Sequence, residues 1–139
     1  MAIARYLADT SVWARLHLAP VDQRLSPLVE LGLIATCGVI DLEMLYPTRS
    51  AADHRRLRLQ RAGLERLSMP DEVWDRAATV QGDLARRGSH RAASIPDLLI
   101  AATAERHAVT LLHYDSDYDV IAQATGQPTE WVVPRGTSA

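Results

Sequence analysis

Residues 94–119 read SIPDLLIAATAERHAVTLLHYDSDYD, and this stretch decides the fold. Pro96 and Asp97 open an apolar helix predicted to run to His107, with proline at a tolerated first-turn position. An apolar strand follows over 109–113. The acidic segment after it opens a further helix over 117–125, stopped by Gly126. Helices alternating with short apolar strands build a parallel sheet covered by helices.

The same alternation extends to both ends of the chain. Ile3 to Ala8 is an apolar run cut by Asp9-Thr10-Ser11, which can cap the helix that follows. Residues 12–18 and 21–31 read as helical, and Gly32 stops the chain. A strand is predicted at 33–37 and a helix at 39–46, ending before Pro47. An Arg-rich amphipathic helix is expected over 51–67, and another runs from Pro70 to Arg87, broken by Gly88. A last short strand falls at 130–133. The predicted class is α/β, a mostly parallel central sheet of about four to five strands flanked by helices. The 139 residues suit one domain spanning 1–139.

Composition removes several classes of function. Hydrophobic residues make up 47% and charged residues 23%, which excludes wholesale disorder. A single cysteine, Cys37, excludes an intramolecular disulfide framework and a Cys-rich zinc site. It suits a reducing cytosol, and its place in a predicted strand makes it a core residue rather than a nucleophile. No apolar stretch approaches the ~18 residues of a membrane span, so a cytoplasmic protein is expected. The net charge of -2 is uneven. Residues 49–91 carry ten Arg and six acids, whereas 97–130 carry one Arg and six acids. Such a split fits a phosphate-gripping surface beside a cation site, and equally a set of solvated helices. Every basic residue is Arg, which reflects GC-rich codon usage rather than RNA recognition.

In parallel sheets ligands bind at the carboxyl ends of the strands, which makes the acids informative. Asp9 follows the first strand and Asp115 follows the strand at 109–113. Asp97 sits in the first turn of an apolar helix, and Glu43 lies among Leu and Met. Each has a local reading: Asp9 as a cap, Asp97 at a helix start, Glu43 on a solvent stripe, Asp115 to Asp119 in a solvated turn. Gathered at one sheet edge they repel, which raises their pKa values unless Mg²⁺ or Mn²⁺ neutralises them. Asp41, two residues from Glu43, competes with it; on a helix the two point about 200° apart, so one alone can face the site.

Other motifs fit worse. Asp115-Ser116-Asp117-Tyr118-Asp119 begins like an EF-hand loop, but Val120 stands at the glycine position and Gly126 at the glutamate position. The strand with its DxD is similar to that of haloacid-dehalogenase-type phosphatases, which leaves Asp9 and Glu43 without roles. The five histidines show no zinc spacing, and no P-loop, GxGxxG or GxSxG is present.

The ensemble resembles a known family. Tyr6-Leu7-Ala8-Asp9-Thr10-Ser11-Val12-Trp13 is similar to the D-[TS]-S-x-[WL] opening of PIN-domain proteins, particularly VapC-type toxins. Glu43 falls where that family has its second acid. Ile95-Pro96-Asp97 with its Ala-rich helix resembles the third motif, and Leu111 to Tyr118 the last, T-x-D-x-D-F. His113 replaces the usual Thr and Tyr118 the usual Phe.

The resemblance implies a Mg²⁺- or Mn²⁺-dependent endoribonuclease, the toxin of a type II toxin–antitoxin system, with RNA as substrate. Asp9 and Asp97 would hold the metal; Glu43 and Asp115 would complete the site, hold a second ion or orient the attacking water. Asp117 competes with Asp115 as fourth acid, and Ser11 is a supporting or water ligand. Arg86, Arg87, His90 and Arg91, around Gly88, are the candidates for an RNA-gripping rim. The family also implies a homodimer and a cognate VapB-type antitoxin that inhibits the nuclease and itself carries any operator-DNA binding. Trp13, Leu16 and Leu18 are candidates for core packing or for such an interface. Two alternatives remain: a metal-dependent phosphatase with Asp115 as nucleophile, and a non-catalytic PIN-like module that binds RNA or a partner.

Overall fold

A computed structural model describes residues 1–137. Its sheet has five strands, β1 (Tyr6–Ala8), β2 (Ile34–Cys37), β3 (Glu65–Leu67), β4 (Thr110–His113) and β5 (Thr129–Trp131). They lie in the order β3-β2-β1-β4-β5, every pair parallel. The helices are α1 (Thr10–Trp13), α2 (Ala19–Glu30), α3 (Gly38–Leu45), α4 (Ala51–Arg61), α5 (Asp71–Arg86), α6 (Ile95–Arg106) and α7 (Asp117–Thr125).

Both faces of the sheet are covered, as parallel strands require. Leu7, Ala35 and Leu111 face a core shared with α3, α5, α6 and α7. Ala8, Ile34 and Leu112 face a second core with Val12, Val21 and Leu25 of α1 and α2. Helix α6 runs between neighbours on nearly all sides, and every residue from Asp97 to Ala104 is buried. A helix apolar all round belongs in a core, and Asp97 is carried into it. At the far end of α7, Gly126 adopts φ 72°, a left-handed cap that glycine enters without strain.

The chain winds from β1 through β2 to β3 at one edge, then crosses back to start the other half at β4. β1 and β4 are therefore neighbours at the point where the winding reverses, with Leu7 beside Leu111 and Ala8 beside Leu112. The crevice beyond their carboxyl ends is where such sheets bind ligands.

Two predicted elements differ. The helix expected over 51–67 ends at Arg61, and 65–67 form the edge strand β3. Gly63 breaks the helix, and the Glu65 carboxylate accepts from the backbone of Ile3 and Ala4 at 3.0 and 2.8 Å. A three-residue charged edge strand carries no period of its own and reads as more helix. The helix expected over 12–18 is one turn, Thr10–Trp13, and Leu18 is the extended N-cap of α2, which carries Pro20 in its first turn. Trp13, Leu16 and Leu18 are half-buried against the second core, and Cys37 is fully buried.

Candidate metal centre

Three consecutive residues after β1 each fasten a different element. Asp9 leaves β1 in an extended conformation and caps α1, its Oδ2 accepting from Ser11 N at 2.9 Å. Its Oδ1 accepts from the Tyr118 hydroxyl of α7 at 2.7 Å. The Thr10 hydroxyl donates to Glu43 Oε1 of α3 at 2.8 Å. Ser11 Oγ accepts from Tyr114 N, just past β4, at 2.9 Å. Asp9 thus caps α1 with one carboxylate oxygen and holds α7 with the other.

Asp97 enters from the first turn of α6, where its backbone N–H donates to the capping Ser94 Oγ. Its Oδ1 lies 3.1 Å from the same Tyr118 hydroxyl, so Asp9 and Asp97 flank one donor. Burial pushes the Asp97 carboxyl up to about 6, with the charges of Asp9 and Asp115 adding to the effect and Tyr118 and Ser94 opposing it.

The carboxylates of Asp97, Asp115 and Asp117 converge: one oxygen from each lies within 4.8 Å of the others. Asp115 Oδ1 also accepts from Asp117 N at 2.9 Å, which orders the turn into α7. Burial and then Asp115 raise the Asp117 carboxyl. Glu43 is likewise raised, chiefly by burial and also by Asp9, against the lowering effect of Thr10. His113 is fully buried, and its Nδ1 accepts from Asp115 N at 3.1 Å. Burial lowers the imidazole pKa, so the ring is neutral and its Nε2 carries the proton, without a hydrogen-bond partner among the described residues. Burial also pushes the Cys37 thiol up, against any nucleophilic role.

Glu43 and Asp41 have different partners. Asp41 faces the other way, its Oδ1 accepting from Arg61 Nε at 2.9 Å and from the Thr36 hydroxyl at 2.8 Å. Glu43 is tied to the residue next to Asp9. The four basic candidates are exposed, Arg86 at the end of α5 and Arg87, His90 and Arg91 on the connection to α6. Arg86 pairs with Asp83, and among the described residues Arg87, His90 and Arg91 make no bond to the carboxylates. Two contributors were not singled out from sequence, Thr10 and the hydroxyl of Tyr118. The signal for Thr10 was its place inside the strand-end triplet; that for Tyr118 was an OH where the resembled motif has a bare ring.

Carboxylates held this close repel one another, Asp97 and Asp117 with raised proton affinity, and a cation relieves that repulsion. The donor set is all oxygen, the chemistry of a hard divalent ion. The acidic triad can therefore hold a metal.

Comparison with known proteins agrees with this architecture. The profile of the PIN domain family matches residues 6–124. Ribonuclease VapC21 of Mycobacterium tuberculosis is 50% identical over 135 residues, covering 96% of this chain and 98% of the relative. Among solved structures, DNA-bound VapBC from Salmonella typhimurium superposes with a TM-score of 0.75 at 16% identity, covering 94% of this chain and 100% of that one. VapBC-5 from M. tuberculosis, of the VapBC family of toxin–antitoxin systems, gives 0.62 at 23% identity over 91% and 97% of the two chains. The chain belongs to the PIN-domain family and stands among its VapC members.

Proposed function

We propose that this chain is the toxin of a type II toxin–antitoxin pair, a divalent-metal-dependent endoribonuclease that hydrolyses RNA phosphodiester bonds. The observation that carries the reading is the convergence of Asp97, Asp115 and Asp117 within 4.8 Å, beside Asp9 at the reversal point of the sheet. The ribonuclease name of the half-identical relative supports it and leaves the phosphatase alternative without support.

In this reading Asp97, Asp115 and Asp117 hold the ion, with Asp9 completing the site across Tyr118. The ion is Mg²⁺ or Mn²⁺, which supplies Lewis-acid activation of water and of the scissile phosphate when bound. Glu43, fixed by Thr10 and raised in pKa, orients the attacking water and receives its proton. Ser11 joins the β1 and β4 loops, so Asp9 and Asp115 keep their spacing. Arg86, Arg87, His90 and Arg91 line the approach to the helix that bears Asp97 and draw in the RNA backbone.

The VapBC structures that share this fold support a cognate VapB-type antitoxin as inhibitor, within a toxin–antitoxin hetero-oligomer. A homodimer fits the exposed Trp74 and Ile95 at a shallow apolar hollow between α5 and α6. No helix among the described residues is long and apolar enough to cross a membrane.

The test is cleavage of a total-RNA and tRNA pool by purified, antitoxin-free protein in Mg²⁺, Mn²⁺ or EDTA, beside a folded Asp97→Asn variant. Discrete cleavage that needs metal and vanishes in the variant is expected. Cleavage that survives in Asp97→Asn overturns the site.

A further inference from the structure

A cavity of about 500 Å³ opens beside the carboxylates, and the roles assigned above touch it only through Ser11 and Asp115. Asp115, Ser11 and Ser116 form the wall nearest the acidic triad. Arg15, Tyr114, Trp131 and Arg135 form the rest, with the backbone of Gly136. The volume falls in the ~300–1,000 Å³ range of small-ligand sites.

Its lining combines two features that single-stranded nucleic acid requires, cationic groups and aromatic surface. The Arg15 guanidinium lies over the Tyr114 ring at 4.5 Å, and that of Arg135 over Trp131 at 5.7 Å. The two rings meet edge to face, centroids 5.2 Å apart. Neither arginine pairs with a carboxylate among the described residues, although Asp115 shares the cavity. Arg15 Nη1 donates to Ser11 O at 2.9 Å, which fixes the side chain and leaves its other donors for a ligand. Gly136 N donates to the Tyr114 hydroxyl at 2.9 Å, so Arg135 and Gly136 are held as the cavity's outer wall.

An acidic metal site repels the polyanion it cleaves, so a flanking phosphate grip is needed within one nucleotide of it. We propose that this cavity is the subsite for the nucleotide adjacent to the scissile phosphate. Arg15 and Arg135 hold that nucleotide's phosphate, and the Tyr114–Trp131 pair receives its ribose and base. The assignment rests on the ribonuclease reading and deepens it, since it fixes on which side of the carboxylates the RNA is held.

The test uses the full chain in EDTA, with uridine 3′,5′-bisphosphate and a mixed-sequence RNA dodecamer as probes. Indole N–H resonances of the three tryptophans report the location, and fluorescence anisotropy of labelled dodecamer reports the affinity. The Trp131 indole should shift on titration while that of Trp74, on α5, stays still. Arg15→Ala and Arg135→Ala should each weaken dodecamer binding about tenfold. Each should also lower the slope of log affinity against log salt by about 0.7. Arg135 is exposed, so its variant keeps the fold; Arg15→Gln, neutral but still able to donate to Ser11 O, serves if Arg15→Ala does not. An unmoved Trp131, or unchanged affinity in both arginine variants, overturns the subsite even while metal-dependent, Asp97-dependent RNA cleavage persists. Absence of that cleavage in the unaltered protein overturns the ribonuclease reading, and the subsite with it.

Discussion

Asp9 and Asp97, brought together from the end of β1 and the start of α6, flank one hydroxyl, that of the fully buried Tyr118. The hydroxyl has one proton for two carboxylates, and the shorter contact, 2.7 Å, is to Asp9. It keeps two like charges apart and gives each a polar neighbour in a place that water does not reach.

Removing that donor without changing the ring's shape should expose the repulsion. Tyr118→Phe should lower the stability of the metal-free protein by about 1–3 kcal/mol at pH 8, above the raised Asp97 value. The loss should shrink at pH 5, where Asp97, raised to about 6, carries a proton and the repulsion is relieved. Urea unfolding in EDTA at the two pH values measures both; equal stability at pH 8 would sink the idea.

Asp97 titrates near 6 in the metal-free fold and near 3.8 in a solvated chain. The folded state therefore binds the proton more tightly, and protonation stabilises it. That contribution is fully present below pH 3.8 and is lost as pH rises through 6. Asp97→Asn should then raise metal-free stability at pH 8 by about 3 kcal/mol, while abolishing metal binding. Differential unfolding of the two proteins between pH 4 and pH 8 checks the sign.

Metal and proton compete for the same carboxylate. Mn²⁺ affinity measured calorimetrically should be flat above pH 7 and fall about tenfold per unit below 6. An affinity unchanged between pH 7 and pH 5 would remove Asp97 from the ligand set.

Glu43 and Asp41 should separate cleanly by variant. Glu43→Gln should cost activity and little stability, since the amide still accepts from Thr10. Asp41→Ala should cost about 3–5 kcal/mol, because it strands Arg61, whose side chain is 6% exposed. Thermal unfolding read beside RNA cleavage tells the two outcomes apart.

The exposed Arg87 and Arg91 should act on RNA through charge alone. Their double alanine variant should bind RNA more weakly with a shallower salt slope, by about 0.7 for each phosphate that is no longer neutralised. An unchanged slope would take that loop out of the RNA path.

The sequence by itself determined the parallel α/β class and the strands that end in acids, and it offered those acids as candidates. Those features are local: an apolar run, its terminating Asp9 or Asp115, and the proline that starts α6 are all set by neighbours in the chain. Tertiary structure alone decided which acids meet. Asp41 and Glu43 were indistinguishable by spacing until packing gave Asp41 to Arg61 and Glu43 to Thr10. Strand β3 is stable only because β2 and the Ile3–Ala4 backbone offer partners, which no local pattern encodes. Tyr118 as a shared donor, and the cavity between Arg15 and Arg135, likewise arise where elements remote in sequence meet at the reversal of the sheet.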